Sequence, residues 1–92
     1  MIRSFRDKGL ERFATTGDAS RLSVPNSGRV RRILAMLEVA ASPREMNVPG
    51  YRFHALQGRS KGRFAVDASG NWRVTFGWDD QDATDVDLED YH

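Results

Sequence analysis

The stretch Asn71-Trp72-Arg73-Val74-Thr75-Phe76-Gly77-Trp78 decides how this chain folds. Its large apolar side chains, Trp72, Val74, Phe76 and Trp78, recur at every second position. In an extended strand all four leave one face, while Arg73, Thr75 and Gly77 leave the other. Each large aromatic can remove roughly 150–250 Å² from water, so the stretch reads as a half-buried central strand. Arg73 is its anomaly, a lone cation on the outer face of the most apolar strand, in a segment otherwise short of bases. A solvated strand arginine is the plain alternative.

Downstream, Asp79-Asp80-Gln81-Asp82 makes a hairpin, and residues 83–88 pair back with Val86 and Leu88 inward and Asp85, Asp87 and Glu89 outward. Upstream, Asp67-Ala68-Ser69-Gly70 is a turn that follows a strand carrying Phe64 and Val66. Before that comes the basic, glycine-flanked turn Gly58-Arg59-Ser60-Lys61-Gly62. From Tyr51 the period is again two: Tyr51, Phe53 and Ala55 alternate with Arg52, His54 and Leu56, which predicts a first long strand.

Nearer the N-terminus, Val30, Ile33, Leu34 and Leu37, followed by Ala40 and Ala41, predict a helix over 29–41 with Arg29, Arg31, Arg32 and Glu38 on its open side. Ser42-Pro43-Arg44-Glu45 reads as a second helix start with a capping box. An earlier helix over 6–16 turns Leu10, Phe13 and Ala14 inward and stops at Gly17. Residues 18–28 are a loop, and Ile2 to Phe5 a short edge strand. Two helices followed by a four-stranded antiparallel meander is an α+β layer structure, with the helices on one sheet face. The other face is left for function.

At 92 residues the chain is one small domain, residues 1–92. It has no cysteine, and its two histidines are too far apart in sequence to suggest a metal cluster, so no metal or other cofactor is expected. No apolar run approaches the ~18–20 residues of a membrane span, and the N-terminus lacks a signal-peptide core, which makes the cytoplasm the default location. Charge is sharply divided. Residues 1–64 hold thirteen bases against five acids, whereas residues 65–92 hold Arg73 alone against eight acids. Twelve arginines against two lysines favour groups that grip phosphates bidentately, so the charge points to nucleic acid.

Neighbouring strands of a meander bring distant residues together. His54, Arg73 and the tail Asp90-Tyr91-His92 can converge on the sheet face away from the helices, with Arg59 and Lys61 at its rim. Histidine exchanges a proton near neutrality and arginine keeps its charge, so the set suits a reaction that moves a proton while negative charge develops. Phosphodiester cleavage by the RNA 2′-hydroxyl is such a reaction. Taken singly, each of these residues also fits a plain surface or packing role.

Four segments carry a resemblance: the opening Ile2-Arg3-Ser4-Phe5-Arg6-Asp7-Lys8-Gly9, then Arg52-Phe53-His54-Ala55-Leu56-Gln57-Gly58-Arg59, Asn71-Trp72-Arg73-Val74-Thr75-Phe76, and Glu89-Asp90-Tyr91-His92. Together they resemble the HigB group of the RelE/ParE toxin superfamily over nearly the whole chain. The resemblance implies a ribosome-dependent endoribonuclease of a type II toxin–antitoxin pair, which cuts messenger codons in the A site without a metal. By the same resemblance, His54, Asp90, Tyr91 and His92 are tied to cleavage, Arg73 stabilises the phosphate and Asn71 contacts the codon. The implied partners are the ribosome and its mRNA, and a helix-turn-helix, HigA-like antitoxin through which alone operator DNA is reached. Gln57 departs from the lysine that is common in the family and would lie against the RNA phosphates, so Arg59 and Lys61 are left to supply the cation. Two other readings stay open: a ParE-like inhibitor that binds a protein such as gyrase, and a plain RNA-binding module.

Overall fold

The computed structural model describes residues 1–90. Helices α1 (Lys8–Thr16) and α2 (Ser27–Val39) precede strands β1 (His54–Ala55), β2 (Arg63–Ser69), β3 (Trp72–Asp79) and β4 (Asp82–Asp90). The strands form an antiparallel sheet in the order β1-β2-β3-β4. This is the α+β meander that the alternating pattern predicts.

Local chemistry explains where the helices begin and end. The Asp7 carboxylate accepts the Leu10 N–H at 3.1 Å, and Gly17, left-handed at φ 80, closes α1 by donating its N–H to the Phe13 carbonyl. Leu10 and Phe13 are buried, but Ala14 is exposed. The Asn26 side chain caps α2 by accepting the Arg29 N–H, which starts that helix two residues ahead of the predicted start at residue 29. The second helix start expected at Ser42 is not a capped α-helix. Ser42 makes no side-chain cap bond, and Pro43–Met46 is a single 3-10 turn. Pro49 lies close downstream and biases the residue before it away from helical geometry, so the turn does not extend.

The long first strand is also shorter than expected. Arg52 adopts a left-handed backbone at φ 53 and Gly58 another at φ 66, which leaves only His54 and Ala55 paired with β2. Side-chain alternation does not report backbone handedness. In the β2–β3 hairpin Ser69 pairs with Trp72 across Gly70 and Asn71, a tighter turn than the four residues predicted. A bulge in β4 sets Asp85 and Val86 against Phe76, with Asp85 left-handed at φ 47.

Val30, Ile33 and Leu37 of α2, Leu10 of α1, Met46, and Val66, Val74, Phe76 and Val86 of the sheet are fully buried in one cluster. A ring series Phe53–Phe64–Phe76–Trp78, with centroids 5.8, 5.8 and 6.3 Å apart, crosses the sheet on that side. Ile2 and Phe5 form parallel bridges to Ala83 and Val86, so the N-terminal segment covers the outer edge of β4. Among the described residues no helix is long and apolar enough to cross a membrane.

Candidate active face

Residues paired across antiparallel strands share a face, so the register lists what stands opposite the helices. One row is Asp67–Arg73–Glu89, the next His54–Ala65–Thr75–Asp87, and the third Arg63–Gly77–Thr84. His54 and Arg73 therefore share a face. Two strand spacings of ~4.8 Å and one two-residue step of ~6.7 Å separate their Cα atoms by about 12 Å. Side chains at that separation can flank a phosphate, with Arg73 half-buried and its Nε beneath the surface.

The centre of this face is filled rather than open. Thr75 and Ala65 are fully buried. The Arg63 guanidinium lies over them, donating to Thr75 Oγ1 at 3.1 Å and to the Asp85 carbonyl at 2.8 Å, and Thr75 donates in turn to Glu89 Oε2. Gly77 leaves room for this: a Cβ there would stand 2.9 Å from Thr84 Oγ1 and 3.6 Å from Arg63 Nη1. Burial, reinforced by Arg6, lowers the Arg63 pKa, while Glu89, Asp87 and Asp85 oppose the shift. Burial also raises Asp87 above the usual carboxylate value, aided by Glu89 and Asp7 and opposed by the Leu88 N–H and Arg6.

His54 sits exposed at the β1 edge, with Nδ1 2.8 Å from the carbonyl oxygen of Arg52. The strain of a left-handed non-glycine residue, about 1–2 kcal/mol, falls on Arg52. Arg52 Nε lies 3.6 Å from Asp67 Oδ2. Arg29 stacks 4.0 Å over the Tyr51 ring and donates to the carbonyls of Gly50, at 2.6 Å, and Asp67, at 3.2 Å. Arg32 Nε donates to Tyr51 Oη at 3.3 Å. Part of the α2 arginine cluster is thus structural, fastening residues 50–52 to the helix and to β2.

Asn71 is exposed in the β2–β3 turn. Asp90, exposed at the end of β4, pairs with Trp72, so strand alternation puts it on the opposite side from Arg73. Tyr91 and His92 lie outside the described residues. Gln57, Arg59 and Lys61 are exposed in the β1–β2 connection at the far end of the sheet from Asn71, about 17 Å away over five strand residues. Arg52, Arg63, Asp67, Thr75 and Glu89 complete the face, although sequence reading gave them no role in the site. The odd-numbered alternation of Arg63, Ala65 and Asp67 was the available signal, and it acquires meaning only once the register is known. Among the described residues, no group of three or more His, Asp or Glu is arranged to hold a metal ion.

A family model described as the RelE-like toxin of the type II toxin–antitoxin system HigB matches residues 3–92. The chain belongs to the HigB family of RelE-like toxins. It is 33% identical over 92 residues to Endoribonuclease HigB of Proteus vulgaris, covering both chains completely. It is 32% identical over 92 residues to Toxin HigB-1 of Vibrio cholerae serotype O1, covering 97% of this chain and 96% of the relative. As a type II toxin, this HigB-family protein has an antitoxin as partner.

Proposed function

We propose that this HigB-family toxin is an endoribonuclease that enters the ribosomal A site and cuts the bound messenger codon by metal-independent acid–base chemistry. The observation that carries the reading is the face shared by His54 and Arg73, and the name of the Proteus vulgaris relative supports the activity. In the reaction a base removes the proton of the 2′-hydroxyl, the oxygen attacks the adjacent phosphorus, and an acid protonates the departing 5′-oxygen. His54 and His92 exchange those protons, Arg73 stabilises the charge that develops on the phosphoryl oxygens, Tyr91 orients the reacting groups, and Asp90, which leaves β4 on the side opposite Arg73, orients the tail rather than the phosphate. Gln57, Arg59, Lys61 and Asn71 contact the RNA. Translation stops in the cytoplasm until a helix-turn-helix, HigA-like antitoxin, which also binds operator DNA, restrains the toxin.

The test is cleavage of mRNA on programmed ribosomes. His54→Ala, Arg73→Ala and deletion of Tyr91 and His92 should each lower the rate by about 10²-fold or more, with the thermal midpoint little changed. Growth arrest without codon-level cuts would favour a protein-binding inhibitor of the ParE kind.

A further inference from the structure

We propose that Arg52 is a positioning residue whose backbone carbonyl fixes the His54 imidazole with Nδ1 protonated, making Nε2 the nitrogen that exchanges a proton with the RNA. This rests on the cleavage role of His54 and adds which nitrogen acts and what selects it. A carbonyl oxygen only accepts, so the ring nitrogen 2.8 Å from it carries the hydrogen. Neutral imidazole has one N–H; when that is Nδ1–H, the lone pair is on Nε2. In the imidazolium, Nε2–H is the proton left for transfer. The same nitrogen then serves as base or as acid.

The carbonyl depends on the left-handed backbone of Arg52, at φ 53, a region that residues with a Cβ enter rarely. Several contacts hold it there. The Asp67 N–H donates to the Tyr51 carbonyl at 2.7 Å, while Arg29 grips the Gly50 and Asp67 carbonyls and stacks on Tyr51. Asp67 Oδ2 then meets Arg52 Nε at 3.6 Å. The Arg52 side chain is 78% exposed, so that ion pair adds little stability by itself, and the backbone is the part that matters. Asp67 is also the cross-strand partner of Arg73, so the clamp seating His54 adjoins the guanidinium on the same face.

Arg52→Val and Arg52→Gly separate backbone from side chain. Both remove the guanidinium, but β-branched valine resists a left-handed backbone that glycine adopts freely. Imidazole ¹⁵N shifts read the tautomer in the free protein, without RNA. Wild type and Arg52→Gly should hold neutral His54 as the Nδ1–H tautomer, and Arg52→Val should populate Nε2–H. Arg52→Gly should cleave at least tenfold faster than Arg52→Val, with the loss in the valine variant falling on kcat rather than KM. An Nε2–H tautomer in wild type overturns the proposal even if the valine variant does not fold. Equal cleavage by the two variants overturns it as well. Full cleavage by His54→Gln would instead remove the catalytic reading of His54 and leave the tautomer result standing.

Discussion

A Cβ on Gly9 would overlap the carbonyl oxygen of Arg21, so the first turn of α1 packs directly on loop backbone. Glycine to alanine in a helix ordinarily stabilises by up to ~1 kcal/mol. Overpacking costs about 1–3 kcal/mol, and here the obstructing atom is backbone that has little room to move. Gly9→Ala should therefore lose about 1–2 kcal/mol of stability in urea unfolding. A gain would mean that the loop yields. Asp87 sets the sign of a pH effect. Its raised pKa lets the folded chain keep that proton to higher pH than the unfolded chain, so stability falls as pH rises from the ordinary value near 3.8 through the folded one. Asp87→Asn removes the penalty. Its urea midpoint should match wild type below about pH 3.5 and exceed it at neutral pH; curves that stay together would show that Asp87 is relieved by another neighbour.

Whole elements were more legible in the sequence than were the junctions between them. Alternation located β3 and β4, and apolar spacing located α2, because burial imposes those periods directly. Alternation failed at Arg52, where backbone handedness decides the outcome, as the capping-box pattern did at Ser42, with a proline close downstream. It reached His54 and Arg73 because a meander makes neighbours of consecutive strands, but the clamp of Arg29, Tyr51 and Asp67 depends on contacts between elements that no local pattern encodes. The 3-10 turn Gly58–Ser60, for which Gln57 is the N-cap residue, supplies a further prediction. On the proposed RNA-binding role of residue 57, Gln57→Lys adds a charge-assisted contact worth about 1.5–3 kcal/mol, and should speed cleavage about tenfold or more if the contact is felt in the transition state. An unchanged rate would place the substrate backbone away from this turn.

At the scale of the molecule, the two charge halves are partly stitched together. Arg3 joins Asp79 and Asp82, Arg6 lies 4.0 Å from Asp85, and Arg52 meets Asp67, so several N-terminal bases neutralise acids of the C-terminal half. On the proposed function, the bases left to meet RNA are those that stay exposed beside the candidate face, Arg59 and Lys61 foremost, rather than the whole excess in residues 1–64. Each phosphate contact releases counterions and steepens log K against log salt by about 0.7–0.9. Arg59→Ala with Lys61→Ala should flatten the slope of ribosome binding by about 1.5 without lowering the thermal midpoint. Arg29→Ala is the counter-case: its guanidinium is committed to Tyr51, Gly50 and Asp67, so it should lower the midpoint and leave the slope alone. The opposite pattern, a slope set by Arg29 and indifferent to Arg59 and Lys61, would move the RNA from the strand face to the helical layer.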